Sequence, residues 1–454
     1  MAGHLQPGTR ANRAGADKRR GQAGVEIRTE SCGVHAELLS EMLEAALSAV
    51  SADRCLPAYL PPYPQGRRLI VAVGKAGAAM ARVALADAPP ETRAIILVPY
   101  GHGCDRADLP AGATLLEAGH PLPDQHGLEA AKAICDAVRE LTADDQLLAL
   151  VSGGGSALLA LPAHGVSLED KRQLTEELLL CGATISQINC VRTHLSQVKG
   201  GRLAMLAHPA QVVTLAFSDV SGDDPALIAS GPTVADRTRL ADARRVLDRF
   251  AIPVPDHVRR VLEDERQATP SPDTMATMRA EVHIVARNRM ALQAAGEIAA
   301  SRGFTPVYLG DDLEGDSTEL GIVHAALALH HRRKGGKWAL LSGGETTVLV
   351  RNKAGKGGRN SEYALSLGLS LNGAAGISAI ACDTDGIDGV GGHAGAIVDE
   401  TLLQRAKAAG LLPAAMLRQN DSHGFFGALG DLVFTGPTRT TVNDFRVILV
   451  DDAA

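Results

Sequence analysis

The chain has 454 residues, 45% apolar and 21% charged, with 48 glycines and a formal net charge of −7. That length exceeds one ordinary hydrophobic core, so two domains are expected, and the apolar share excludes a disordered chain. A net negative surface argues against nucleic acid as ligand, because phosphate neutralisation needs a basic face.

Residues 1–33 carry several Arg and Lys and no apolar core, which argues against a secretory signal; they are read as a disordered basic extension. Seven cysteines form no CxxC and no His-Cys cluster, and an odd number cannot all pair internally. Reduced thiols in a cytoplasmic protein are the reading. The longest uncharged stretch, 147–161, is broken by Gly153, Gly154 and Gly155 and falls short of the roughly 20 residues a membrane helix needs.

From residue 34 onward, apolar runs that read as buried strands alternate with amphipathic segments, the signature of parallel βαβ units. Strands are predicted at 69–73, 94–98, 114–117, 146–151 and 211–217, with a helix at 128–141. Ser167 with Asp170 opens a capped helix that Gly182 stops; Thr184 with Gln187 opens a second, ending at Gly200-Gly201. On this second helix Arg192 and Lys199 stand about two turns apart on one polar face. The charge- and proline-rich stretch 235–277, helical at 240–250, reads as a connection. Beyond it come a strand at 282–286, a helix at 290–302, and strands at 306–309, 338–341, 377–381 and 432–434.

The fold class is therefore α/β, two domains built from mostly parallel βαβ units. The expected organisation is an N-terminal nucleotide- and phosphate-binding domain over 34–238, a connecting segment over 239–280 and a C-terminal α/β domain over 281–454. An internal echo runs from Ser152-Gly-Gly-Gly-Ser156 to Ser342-Gly-Gly-Glu-Thr346. It is either a trace of two related halves or recurrent turn chemistry.

Chemistry concentrates in a few places. The predicted strand 146–151 feeds Ser152, Gly153, Gly154, Gly155 and Ser156, where unpaired backbone N–H groups can cradle phosphate. A tight turn needing positive φ is the plain alternative. It is not a Walker A loop, and Gly74-Lys75 does not supply one, since Leu69 stands where the first glycine belongs and Ala76 where the hydroxyl belongs. Lys75 sits in a glycine-flanked turn at the carboxyl end of a buried strand, where ligands of α/β sheets gather.

Arg359, in Lys356-Gly-Gly-Arg-Asn360, can grip phosphate bidentately. Both cations could neutralise a transferring phosphoryl group, or could be solvated loop charges. Carboxylates cluster as Asp219, Asp223, Asp224 and as Asp383, Asp385, Asp388. Asp219 or Asp385 suits a proton acceptor, and Asp219 with Asp383 suits Mg²⁺; turn capping is the alternative for most of the six. Gly389-x-Gly391-x-x-Ala394 matches a dinucleotide fingerprint on paper, yet Gly395-Ala-Ile-Val398 reads as strand where a helix should open.

Six collinear motifs carry a resemblance. They are Phe-Ser-Asp-Val-Ser-Gly-Asp-Asp-Pro (217–225), Ile-Asn-Cys-Val-Arg-Thr-His-Leu-Ser-Gln-Val-Lys-Gly-Gly-Arg-Leu-Ala (188–204), Leu-Leu-Ser-Gly-Gly-Glu-Thr-Thr (340–347), Gly-Gly-Arg-Asn-Ser-Glu (357–362), Asp-Thr-Asp-Gly-Ile-Asp-Gly (383–389) and Gly-Pro-Thr-Arg-Thr-Thr-Val-Asn-Asp-Phe (436–445). From about residue 35 to 450 the chain resembles the MOFRL-type glycerate 2-kinases. The resemblance implies two Rossmann-like α/β/α domains with mostly parallel sheets and an inter-domain cleft, a MOFRL-containing C-terminal half, an active site in that cleft, and ATP- and Mg²⁺-dependent phosphorylation of D-glycerate to 2-phosphoglycerate. Lys75 and Arg359 match the family's catalytic lysine and arginine. The readings beside it are an NAD(P)H-dependent hydroxypyruvate reductase and phosphorylation at the 3-hydroxyl. Arg192, Lys199 and Asn360 are the expected substrate-binding residues. Expected partners are glycerate and ATP, with no nucleic acid and no membrane; a homodimer is compatible with the sequence.

Overall fold

Strands buried on both faces need helices above and below, and crossover helices force neighbours to run parallel. Six strands form the first sheet: β1 (Arg68–Val73), β2 (Arg93–Pro99), β3 (Ala113–Ala118), β4 (Gln146–Val151), β5 (Gln211–Phe217) and β6 (Ala280–Ala286), the inner four buried on both faces and the edge strands β3 and β6 partly exposed. Their order is β3-β2-β1-β4-β5-β6 and every pairing is parallel. This is the strand order of dinucleotide-binding sheets, whose crevice lies where the chain switches direction, here between β1 and β4. A computed structural model supplies these coordinates and describes residues 28–29, 33, 35–89 and 91–451, so most of the basic extension lies outside the described residues.

The second sheet comprises β7 (Thr305–Asp316), β8 (Lys337–Thr347), β9 (Ile377–Asp383), β10 (Gly395–Val398), β11 (Leu432–Val433) and β12 (Asp444–Asp451), ordered β11-β10-β9-β12-β8-β7. Strands β7, β8, β9 and β11 point one way, whereas β10 and β12 run against them. The short loop from β9 to β10 has no room for a crossover helix, so it returns antiparallel. β12 is buried throughout and carries Asp444 into the centre of this sheet.

Three local readings change. The helix of Arg192 ends at His194, because Ser196 forms a β-bridge with Pro162; Lys199 therefore lies beyond the helix, not two turns along it. Ser342–Thr346 lies inside β8, so its echo of Ser152–Ser156 corresponds to no second loop of the same shape. β6, placed by sequence in the second half, completes the first sheet against β5.

The halves share a core. Leu39, Met42 and Leu43 from the helix Ala36–Ala49 belong to the same buried cluster as Leu292, Phe304 and Phe445. Asn288 Nδ2 donates to the carbonyls of Val442 and Asp444 at 2.6 and 2.8 Å, and Thr440 Oγ1 donates to Val50 O at 2.7 Å. The stretch 235–277 folds as helices Leu240–Arg249, Asp256–Glu263 and Pro272–Ala276. The first two pack Leu240, Leu247 and Val258 against Leu174 and Ile188.

Candidate active site

The carboxyl ends of β1 and β4 build the centre of the crevice. Gly74 has φ +115°, and a Cβ there would stand 2.3 Å from Ser152 Oγ, so no side chain is tolerated. Ser152 accepts from Ala76 N–H at 3.0 Å and donates to Val73 O at 3.3 Å, and Lys75 N–H donates to Gly153 O at 2.9 Å. The hydroxyl of Ser152 thus locks the two turns together. Gly154 has φ +82° and lies under the His120 ring, whereas a Cβ on Gly153 would stand 2.0 Å from Asp219 Oδ2. Among the described residues the N–H groups of Gly153, Gly154 and Ser156 meet no acceptor.

Ser156 shares a 2.8 Å hydrogen bond with Ser230. Lys199, fully buried, donates to Ser156 O at 2.7 Å and Oγ at 3.1 Å.

The second half brings its own cation. Arg359 opens the helix Arg359–Leu371 and donates to three acids: Nε to Asp444 at 2.7 Å, Nη1 to Glu345 at 2.8 Å and Nη2 to Asp383 at 2.7 Å. Its helix is seated by Asp388, which accepts from Asn360 N–H at 2.9 Å and Ser361 N–H at 2.8 Å. Asn360 is wholly buried and donates to Asp444 at 2.7 Å, so it steadies the acid that holds Arg359. Lys75 ion-pairs with Asp385, and Asp385 N–H donates to Asp383 Oδ1 at 3.1 Å. The sequence-chosen Lys75, Arg359, Asp383 and Asp385 therefore converge.

Electrostatics sort these groups. Burial lowers the Lys75 pKa, but Asp385, Asp383 and Asp219 more than offset it, so the ammonium stays charged. Arg359 is likewise desolvated yet held charged by Asp444, Asp383 and Glu345. Burial and then Asp385 push Asp383 upward. Burial opposes ionisation of Asp385 too, but Lys75 keeps its carboxyl below the usual range. Among the described residues no side chain donates to Asp219, and burial followed by Glu345 raises it to about 6. His120 is pushed down to about 4 by burial and by Lys75.

As a metal pair, Asp219 and Asp383 do not make a resident site unaided. Asp383 already accepts from Arg359 and Asp385 N–H, and among the described residues no three His, Cys, Asp or Glu side chains converge to hold an ion. Sequence reasoning gave no role to Glu345, Asp444 or His120. The first two lie within quoted motifs, but an isolated histidine in a loop carries no spacing signal. The dinucleotide fingerprint has no helix behind it: Gly395–Val398 is β10.

Residues 38–263 match a family described as a domain of unknown function, DUF4147, and residues 338–444 match the MOFRL family. A protein of Agrobacterium vitis that carries the provisional name hydroxypyruvate reductase is 47% identical over 91% of this chain and 94% of its own. The D-glycerate 2-kinase of Thermotoga maritima is 37% identical over 91% of this chain and 98% of its own. The crystal structure of the Thermotoga maritima glycerate kinase superposes with a TM-score of 0.81 at 36% identity, covering 91% of this chain and 99% of that one. With this identity sustained across both halves and a shared fold, the chain belongs to the glycerate 2-kinase family.

Proposed function

We propose that the protein transfers the γ-phosphoryl group of Mg–ATP to the 2-hydroxyl of D-glycerate, giving 2-phosphoglycerate and ADP. The observation that carries this reading is the meeting of Lys75 and Arg359, one from each half, on the acids Asp383 and Asp385. Phosphoryl transfer demands little covalent help from a protein and much charge neutralisation, which two fixed cations supply. The free N–H groups of Gly153, Gly154 and Ser156 suit phosphate oxygens beside Lys75. Asp219 accepts the proton that the glycerate hydroxyl releases: among the described residues no side chain donates to it, and its raised pKa suits a base working near neutrality.

Lys199, which donates to Ser156 at the end of the glycine loop, and Arg192 suit the acceptor's carboxylate. Asn360 acts through Asp444. Among the described residues no helix is long and apolar enough to cross a membrane, and six cysteines are free, which suits a reducing cytoplasm.

Pure protein incubated with Mg–ATP and D-glycerate should release ADP, with 2-phosphoglycerate identified by phosphorus NMR. A parallel incubation with NADH and hydroxypyruvate should consume no NADH. NADH oxidation without ADP release would replace this reading with a reductase.

A further inference from the structure

Strand β12 puts two opposite charges on one face of the second sheet. Asp444 and Arg446 stand two positions apart, and Phe445 between them belongs to the core that the halves share. Arg446 is 1% exposed, and among the described residues Asp444 is the one acid that it meets. Its Nη2 donates to Asp444 Oδ2 and, at 3.0 Å, to Thr346 Oγ1; its Nη1 donates to Gly343 O at 3.3 Å. The Nε meets no acceptor among the described residues. A buried arginine paired so incompletely is costly, and an apolar side chain of similar volume would fill the space without desolvating a charge.

What Arg446 touches is the support of Arg359. Asp444 divides its oxygens: Oδ1 accepts from Arg359 Nε and Asn360 Nδ2, each at 2.7 Å, while Oδ2 accepts from Arg446 and from Thr346 N–H at 3.3 Å. The guanidinium of Arg446 also lies 5.1 Å from the ring centroid of Tyr363, which follows Arg359 by four residues and so shares its helix face. Arg446 therefore bears on Arg359 through its acid and through its helix.

A carboxylate with both oxygens free takes an arginine through two parallel N–H···O bonds. Asp444 does not do this to Arg359, because Arg446 and Thr346 hold Oδ2. Arg359 is gripped at Nε alone, and its Nη1 and Nη2 reach Glu345 and Asp383 at 2.8 and 2.7 Å.

We propose that Arg446 is a positioning residue for phosphoryl transfer: by occupying one oxygen of Asp444 it restricts that acid to the Nε edge of Arg359 and leaves the Nη1–Nη2 end for the phosphoryl group. This rests on the role given to Arg359 above. Without Arg446, Asp444 takes Arg359 as a two-bonded pair and draws Nη2 away from Asp383.

Arg446→Met frees Oδ2 and keeps most of the volume. Steady-state assays should give a kcat at least about tenfold lower, given how steeply rates depend on angstrom-scale placement, with the KM for ATP and for D-glycerate each within about twofold of wild type. In an Arg359→Lys background the same substitution should cost nothing further, because its effect runs through Arg359. Thr346→Val, nearly isosteric, removes the hydroxyl that accepts from Arg446 and should lower kcat in the same direction; it decides the matter if Arg446→Met does not fold. Tyr363→Phe removes only the hydroxyl shared with His324 Nδ1 at 2.8 Å, keeps the ring beside Arg446, and should leave kcat unchanged. A wild-type kcat in Arg446→Met or in Thr346→Val, a full further loss in the Arg359→Lys background, or an equal loss in Tyr363→Phe would each overturn the proposal. Wild-type protein that releases no ADP with D-glycerate sinks the parent reading, an outcome distinct from an active enzyme indifferent to Arg446→Met.

Discussion

Lys75, at the carboxyl end of β1, donates to Asp385, 310 positions further along the chain and beyond the end of β9. Two residues before Asp385, Asp383 accepts from Arg359. One acid pair therefore joins the cations of the two halves.

Removing Lys75 should separate chemistry from stability. Lys75→Met is expected to lower kcat about a hundredfold, in line with loss of one electrostatic donor, and to lower the melting temperature because Asp385 is left uncompensated beside Asp383. Adding Asp385→Asn should restore much of the melting temperature and none of the kcat. Calorimetry with initial rates reads both.

Arg359→Lys tests geometry as opposed to charge. A lysine cannot address Asp444, Glu345 and Asp383 at once from the directions that the guanidinium uses. A kcat about a hundredfold lower is expected. Arg359→Ala should also destabilise by about 3–5 kcal/mol, the cost of stranding buried charges, measured by denaturant titration.

Asp219 acting as the proposed base predicts an acid limit. With its pKa near 6 in the fold against 3.8 as the ordinary value, the carboxyl is protonated, and unable to accept a proton, as pH falls through about 6. The kcat/KM should drop tenfold per unit below that point, and Asp219→Asn should lower activity and abolish the limb. Between these two values the folded state binds more protons than the unfolded one, so stability falls as pH rises. Asp219→Asn should therefore melt higher than wild type at neutral pH.

Gly153→Ala places a methyl where Asp219 Oδ2 stands. The carboxylate must move, so kcat should fall at least about tenfold, given how steeply rates depend on angstrom-scale placement. Gly427→Ala, likewise not at positive φ and with only Leu432 Cδ1 at 3.5 Å from the added Cβ, serves as the control for an added methyl alone. Equal rates in the two variants would deny Asp219 its role.

Much of the first sheet was legible because its strands are short apolar runs ended by glycine. β4 and β5 match their predicted bounds, and both capping boxes form as Ser167 with Asp170 and Thr184 with Gln187 foretell. β12 was missed as a strand: Asp444, Arg446 and Asp451 interrupt its apolar run, and only pairing with β8 and β9 makes their burial tolerable. Of the site, Lys75 and Arg359 could be picked out by their glycine-flanked turns. Glu345 and Asp444 could not, since each matters through the one guanidinium that it meets across the sheet.

The most direct measurement is a crystal structure with ADP, aluminium fluoride, Mg²⁺ and D-glycerate. The account expects the Lys75 ammonium and the Arg359 guanidinium both within hydrogen-bonding distance of the fluoride group that mimics the phosphoryl in flight. Either one still bound to its carboxylates and turned from that group would contradict it.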